Sequence, residues 1–237
     1  MQNSLVSVCR NVIEAPNGNF IMIGLTYDSL NYFNYLSIVG TDPQGNMLWR
    51  KDYGNANFEY LDNILAARGA VCTDNNAFYH AVCVREGSQY VSALLKFNYS
   101  GDTLWQKIYR EPSWDLYVQG ISKSVDGGFL MTGFFQNSVS SQCLLIKTDI
   151  NGNELWRKKI SKAVPNVMDG NSIVQDSSSK KIIIVGYQYI GNASSWSTYS
   201  NVLILDSLGN TILQTTFNNA GGGGGFLSLC SLETRIF

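Results

Sequence analysis

Four glycines open the same short pattern along a chain of 237 residues: NMLWRKDY follows Gly45, DTLWQKIY follows Gly101, NELWRKKI follows Gly152 and NTILQTTF follows Gly209. The glycines lie 56, 51 and 57 residues apart, and Trp49, Trp105 and Trp156 share one column that Leu213 fills in the fourth copy. A period of this length, met four times in register, commits the chain to a repeat architecture before any other feature is weighed. The glycine supplies the positive φ that a tight hairpin turn demands. The tryptophan supplies a large apolar face for packing one repeat on the next.

Two further columns complete the repeat. NGNFIMIG (17–24), NNAFYHAV (75–82), DGGFLMTG (126–133) and SKKIIIVG (179–186) each place turn residues ahead of a strand, and shorter strands such as CRNVIEA (9–15), GISKSV (120–125) and NSIVQD (171–176) precede them. YLSIVGTD, SALLKFN, CLLIKTD and NVLILD form the third column. Each repeat therefore holds four strands, a to d, joined by turns, and no segment carries a helical period. A repeated four-stranded antiparallel unit is a propeller blade. The expected fold is an all-β propeller forming a single domain over 1–237, with blades at 5–54, 55–110, 111–161 and 162–217. Residues 218–237 then form a Gly-rich linker and the first strand of an incomplete fifth blade, FLSLCSL (226–232).

Composition removes several function classes. With 17 basic against 18 acidic side chains, and no run of Lys or Arg able to track a phosphate backbone, nucleic acid is not expected as a partner. The longest apolar runs, such as IIIV at 182–185, fall far short of the roughly 20 residues of a membrane helix. The N-terminus lacks a charged region followed by an apolar one, so no signal peptide is read in this chain. Cys9, Cys72, Cys83, Cys143 and Cys230 show no CxxC spacing and are read as small buried hydrophobes. Lys51, Lys107 and Lys158, with Arg50 and Arg157, fall on strand d, where charge discourages edge-to-edge association.

With these residues in place, the chain resembles the secreted β-propeller repeat proteins of Bacteroidota-type bacteria. Their blades read DGG with Phe or Tyr, a strand ending in Gly, a lysine-bearing strand, then D-x-x-G-x-x-x-W. The third blade, DGGFLMTG through LLIKTDINGNELWRKKI, matches best. The signature is also similar to the tryptophan-docking repeats of quinoprotein-like propellers. The resemblance covers nearly the whole chain and specifies blade structure, not activity. It implies an extracellular or cell-surface protein, often with a C-terminal sorting domain for type nine secretion. This chain departs from the pattern: it shows neither signal peptide nor sorting domain, and it offers four blades and a fraction where such propellers usually close with six to eight. A truncated ring is therefore expected, with oligomerisation open to it.

Catalytic motifs are absent. His80, the only histidine, sits within a strand and reads as a packed residue. Asp149, Asn151 and Asn153 cap a turn and do not begin a calcium loop, since the chain runs directly into Trp156. GGGGG at 221–225 lacks the lysine and helix of a phosphate loop, and no cofactor or metal is expected. In an up-and-down blade the b–c and d–a connections share one face, and here they are read as long and aromatic-rich. Phe58, Glu59, Tyr60 and Asp62 occupy one, Trp114, Asp115 and Tyr117 another, and Tyr189, Trp196 and Tyr199 a third. Trp114 and Trp196 have no counterpart in the other blades. Loops on a rigid scaffold collect binding groups. The expected function is a non-enzymatic binding or scaffolding module for carbohydrate or protein, using Trp114, Asp115, Tyr117, Trp196, Tyr199 and Tyr60. Two alternatives stand beside it: a carbohydrate-active enzyme drawing on Glu59, Asp62, Glu111, Asp115 and Asp169, and a surface repeat without a ligand.

Overall fold

The computed structural model describes residues 5–29, 32–54, 59–60, 70–138, 140–160, 167–192 and 195–218. Among them are seventeen strands and no helix. The first sheet runs in sequence order through β1 (Leu5–Glu14), β2 (Phe20–Asp28), β3 (Phe33–Thr41) and β4 (Met47–Tyr53). The second takes β7 (Phe78–Glu86), β8 (Gln89–Phe97) and β9 (Thr103–Tyr109), with its first-strand position divided between β5 (Glu59–Tyr60) and β6 (Ala70–Thr73), both paired to β7. The third comprises β10 (Asp115–Lys123), β11 (Phe129–Gln136), β12 (Ser141–Thr148) and β13 (Glu154–Ile160). The fourth comprises β14 (Val167–Gln175), β15 (Ile182–Asn192), β16 (Ser195–Leu205) and β17 (Thr211–Asn218). The chain is thus all-β and of the propeller class, built from four up-and-down antiparallel sheets. The segment read as a fifth blade, together with Phe58 and Asp62, lies outside the described residues.

Two compact units are present, Met1–Val118 and Gln119–Phe237. In the first, Ile21, Ile23, Leu36 and Ile38 of sheet one pack against Phe78, Val84, Leu95 and Phe97 of sheet two. In the second, Leu130, Cys143 and Leu145 of sheet three pack against Ile173, Ile184, Leu203 and Leu205 of sheet four. Period-2 alternation explains both, because every second residue of a strand reaches the same face. Cys83 and Cys143 are buried as expected, whereas Cys9 is exposed; the side chains of Cys72 and Cys230 lie outside the described residues.

The repeated glycines hold the c–d turns, with φ of 86° at Gly45, 82° at Gly101, 74° at Gly152 and 76° at Gly209. Each tryptophan described with its neighbour then reaches the glycine of the following sheet. A Cβ on Gly101 would fall 2.6 Å from the Trp49 ring, and one on Gly209 would fall 3.0 Å from the Trp156 ring. The basic residue two positions on completes the contact: Lys51 donates to Asp102, and Lys158 Nζ donates to Asn210 Oδ1 at 2.6 Å. This corrects the reading of Lys51 and Lys158 as edge protection. They are halves of an inter-sheet interlock, legible only once the next sheet's turn is in place. Trp156→Ala is expected to cost about 3 kcal/mol, the lower end for a large aromatic because the ring is half-buried. The midpoint of urea unfolding measures it.

The connections also differ from expectation. The b–c links span two to four residues, as with Gly87 and Ser88 between β7 and β8. The strands absorb the residues read as loop: Tyr189 pairs with Thr198, Gln188 with Tyr199 and Gly191 with Trp196. Tyr, Trp and Thr fit a pleated surface well, so an aromatic-rich segment extends the ladder of β15 and β16. Asp115 and Tyr117 likewise lie in β10, and Glu59 and Tyr60 in β5.

Candidate ligand-binding surface

In the first unit the segment between β9 and β10 folds back onto the β7–β8 turn. Gln89 Nε2 donates to the carbonyls of Glu111 and Trp114, each at 2.8 Å, and Glu111 and Trp114 form an isolated bridge. Arg110 grips Glu86 through two bonds of 2.6 Å, the fork-to-fork pairing that fixes orientation as well as charge. Ser113 holds φ at 63°, a sparsely populated value for a residue with a side chain. Strain of this kind persists only where its surroundings hold it, and it gathers at functional positions. Here it turns the chain into Trp114.

Asp115 follows as the first residue of β10, and one of its carboxylate oxygens accepts the Tyr90 N–H at 2.9 Å. That bond sets the Tyr90 ring beside Tyr117, with centroids 5.3 Å apart and planes at 33°. Tyr90, Trp114 and Asp115 are half-buried, while Tyr117 is 7% exposed. Burial, joined by the charge of Asp115, raises the Tyr117 phenol well above its ordinary range, so it stays protonated and can donate a hydrogen bond. Burial also raises the Cys83 thiol beneath, which donates to the Leu116 carbonyl at 3.7 Å and is no nucleophile. The result is an aromatic patch with one carboxylate edge.

Of the residues expected to form the site, Asp115 and Tyr117 are linked through Tyr90, and Trp114 enters through its backbone, whose carbonyl accepts from Gln89. Tyr90 joins them without having been foreseen. Its signal was the turn EGSQY, which places a ring at the first residues of β8, but a long b–c loop was expected there. Tyr60 must be corrected: at 3% exposure it belongs to the core of the first unit, because its partner in the ladder, Val84, lies in the buried centre of β7. Glu59, beside it, is fixed by Asn34 Nδ2 at 2.8 Å and by an ion pair with Arg85. His80 is buried in β7, opposite Leu95. Tyr199 is half-buried in β16 of the second unit, and the Trp196 side chain lies outside the described residues.

In the second unit, burial displaces the chemistry of the Asp169 carboxyl. Asp169 lies in β14 opposite Tyr187, and its Oδ1 is buried with no hydrogen-bond partner among the described residues. Burial pushes it up to about 7, against the opposite pull of Ser141. A carboxyl near neutrality can hold and release a proton at working pH.

No protein-family model matches the chain, and no curated protein matches it. Solved structures do. An endo-arabinase from Bacteroides thetaiotaomicron aligns over 90% of this chain and 82% of its own with a TM-score of 0.50 and 11% identity. A β-1,2-mannobiose phosphorylase from Listeria innocua aligns over 91% and 77% with a TM-score of 0.48 and 7% identity. A member of the DUF4221 family from Bacteroides vulgatus aligns over 92% and 88% with a TM-score of 0.47 and 7% identity. At these identities the likeness to the endo-arabinase is one of fold.

Proposed function

We propose that the chain is a carbohydrate-binding module of the propeller class, acting outside the cytoplasm and without turnover of its own. The observation that carries this reading is the Tyr90, Trp114, Asp115 and Tyr117 patch. Rings of this kind offer flat apolar faces to the C–H side of a pyranose or furanose, and Asp115 offers an acceptor for its hydroxyls. The strained Ser113 and the Gln89 bonds hold the patch in one geometry before any ligand arrives, which lowers the entropic cost of binding. The names of the proteins sharing the fold denote sugar-cleaving enzymes in part. That likeness concerns architecture, and a propeller hosts unrelated functions.

Export to the cell surface, with the sorting route of type nine secretion, accompanies this reading as the setting in which a sugar-binding propeller would work. The second reading is an enzyme acting on carbohydrate, and Asp169 is what favours it, since a general acid needs a raised carboxyl.

Titration calorimetry with neutral arabino- and manno-oligosaccharides tests the proposal. Trp114→Ala is expected to weaken binding at least tenfold, about 1.4 kcal/mol, while leaving the melting temperature within a few degrees. Undiminished affinity in the variant would remove this patch from consideration.

A further inference from the structure

The arginines beside the aromatic patch are both engaged by other carboxylates. Arg85 stands opposite Tyr90 in the β7–β8 ladder and pairs with Glu59. Arg110, just past β9, holds Glu86 through its two bonds of 2.6 Å. Asp115 has no counterpart to these pairings. Its Oδ1 accepts the Tyr90 N–H at 2.9 Å, and among the described residues that is the one bond its side chain makes; no ion pair reaches it. An ionised carboxylate accepts through both oxygens, so Oδ2 is left with its capacity unused.

On a fully exposed loop, water would satisfy such a group and screen its charge. Asp115 is half-buried and Leu116, the next residue, is fully buried, so the carboxylate is partly withdrawn from that screening. Its surroundings add no positive charge. Burial holds the Cys83 thiol and the Tyr117 phenol in their neutral forms. Along the chain, residues 111–122 contain two acids, Glu111 and Asp115, and no Lys, Arg or His. The aromatic faces act in the same direction, because the negative side of a ring quadrupole attracts a cation and repels an anion.

We infer, on the reading of this patch as a carbohydrate site, that the sugar it selects is an amino sugar, unacetylated and therefore cationic. The C–H face of the sugar lies on the rings, and its ammonium bonds Asp115 Oδ2. Neutral sugars stack on the same surface but leave the carboxylate without a counterion. Sugars bearing a carboxylate of their own are repelled.

The test is titration calorimetry of the full 237-residue chain with three tetrasaccharides that share a β-1,4-linked glucose backbone. Cellotetraose carries a hydroxyl at the second carbon, chitotetraose an acetamide, and fully deacetylated chitotetraose an ammonium at about pH 6. The deacetylated sugar is expected to bind about fivefold to tenfold more tightly than cellotetraose at low salt. The acetamide should give no such gain, and the preference should narrow as salt is raised. Asp115→Asn keeps an acceptor for the Tyr90 N–H and removes the charge, so the ratio of the two affinities should fall to within about twofold of unity. Neutral sugars bound as tightly as the deacetylated one would overturn this inference and leave the carbohydrate reading standing. A preference that survives both Asp115→Asn and high salt would also overturn it, since the amine would then be recognised elsewhere. Failure of every sugar to bind, the neutral arabino- and manno-oligosaccharides included, would remove the carbohydrate reading and this inference together.

Discussion

Gly24→Ala is expected to destabilise the first unit by about 3 kcal/mol or more, the upper range for forcing an extra carbon into packed structure. A Cβ at this position would lie 1.9 Å from the Val8 carbonyl oxygen and 2.9 Å from the Cys9 Cα. Both obstacles are backbone, so no side chain can swing aside. The cause is a register shift between Cys9 and Asn11, which pushes the neighbouring strand toward Gly24. Sheet four repeats the arrangement: a Cβ on Gly186 would lie 1.9 Å from the Asp169 carbonyl oxygen, beside a shift between Gly170 and Ser172. Gly45→Ala is the control. Its Cβ has open space, so only the positive φ is charged against it, about 1 to 2 kcal/mol. Differential scanning calorimetry should show the Gly24 variant melting about 6 to 12 °C below the parent, and a loss no greater than that of the Gly45 variant would refute the steric account.

Asp169→Asn is expected to change the dependence of stability on pH. Because the folded value is raised to about 7 from an ordinary 3.8, the fold holds a proton that the unfolded chain has released. The contribution of Asp169 is therefore full below about pH 4 and is lost as pH rises toward 7, at about 1.4 kcal/mol per pH unit. Carboxylates held low act in the opposite direction and at lower pH. Asp126, kept at about 2 by Lys147 and Ser124 against its own burial, has delivered its contribution by about pH 4. The asparagine keeps the shape and has no charge to bury. Urea midpoints across pH 5 to 8 should fall in the parent and run flatter in the variant, leaving the variant more stable at pH 8 by up to about 4 kcal/mol. Parallel profiles would mean that Asp169 is solvated and that the enzyme reading has lost its proton carrier.

How far each feature could be read from residues alone depends on the range of the interaction behind it. Turn chemistry is local: Gly45, Gly101, Gly152 and Gly209 announce the c–d hairpins because φ belongs to one residue and its neighbours. Sheet order follows, since short turns leave antiparallel neighbours no other partner. Gly24 and Gly186 shared a visible column, but their reason was not visible, because a bulge in the facing strand is a matter of register. Lys51 and Lys158 were misread for the same cause: their partners lie 51 and 52 residues away in the chain. Long loops were expected where β15 and β16 continue, since Tyr, Thr and Trp suit an exposed loop and a strand alike. For the site, Trp114 stood out by having no counterpart in other repeats. Tyr90 did not, because only the bond from its N–H to Asp115 brings its ring to Tyr117.

The most direct measurement follows the Trp114 indole N–H by NMR while an arabino-oligosaccharide is added, with the sugar analysed by chromatography from the same tube. The account predicts a saturable shift of that resonance, absent in Trp114→Ala, with the oligosaccharide recovered intact. A resonance unmoved by any of the neutral sugars, or a sugar cleaved by the parent and spared by Asp169→Asn, would contradict it.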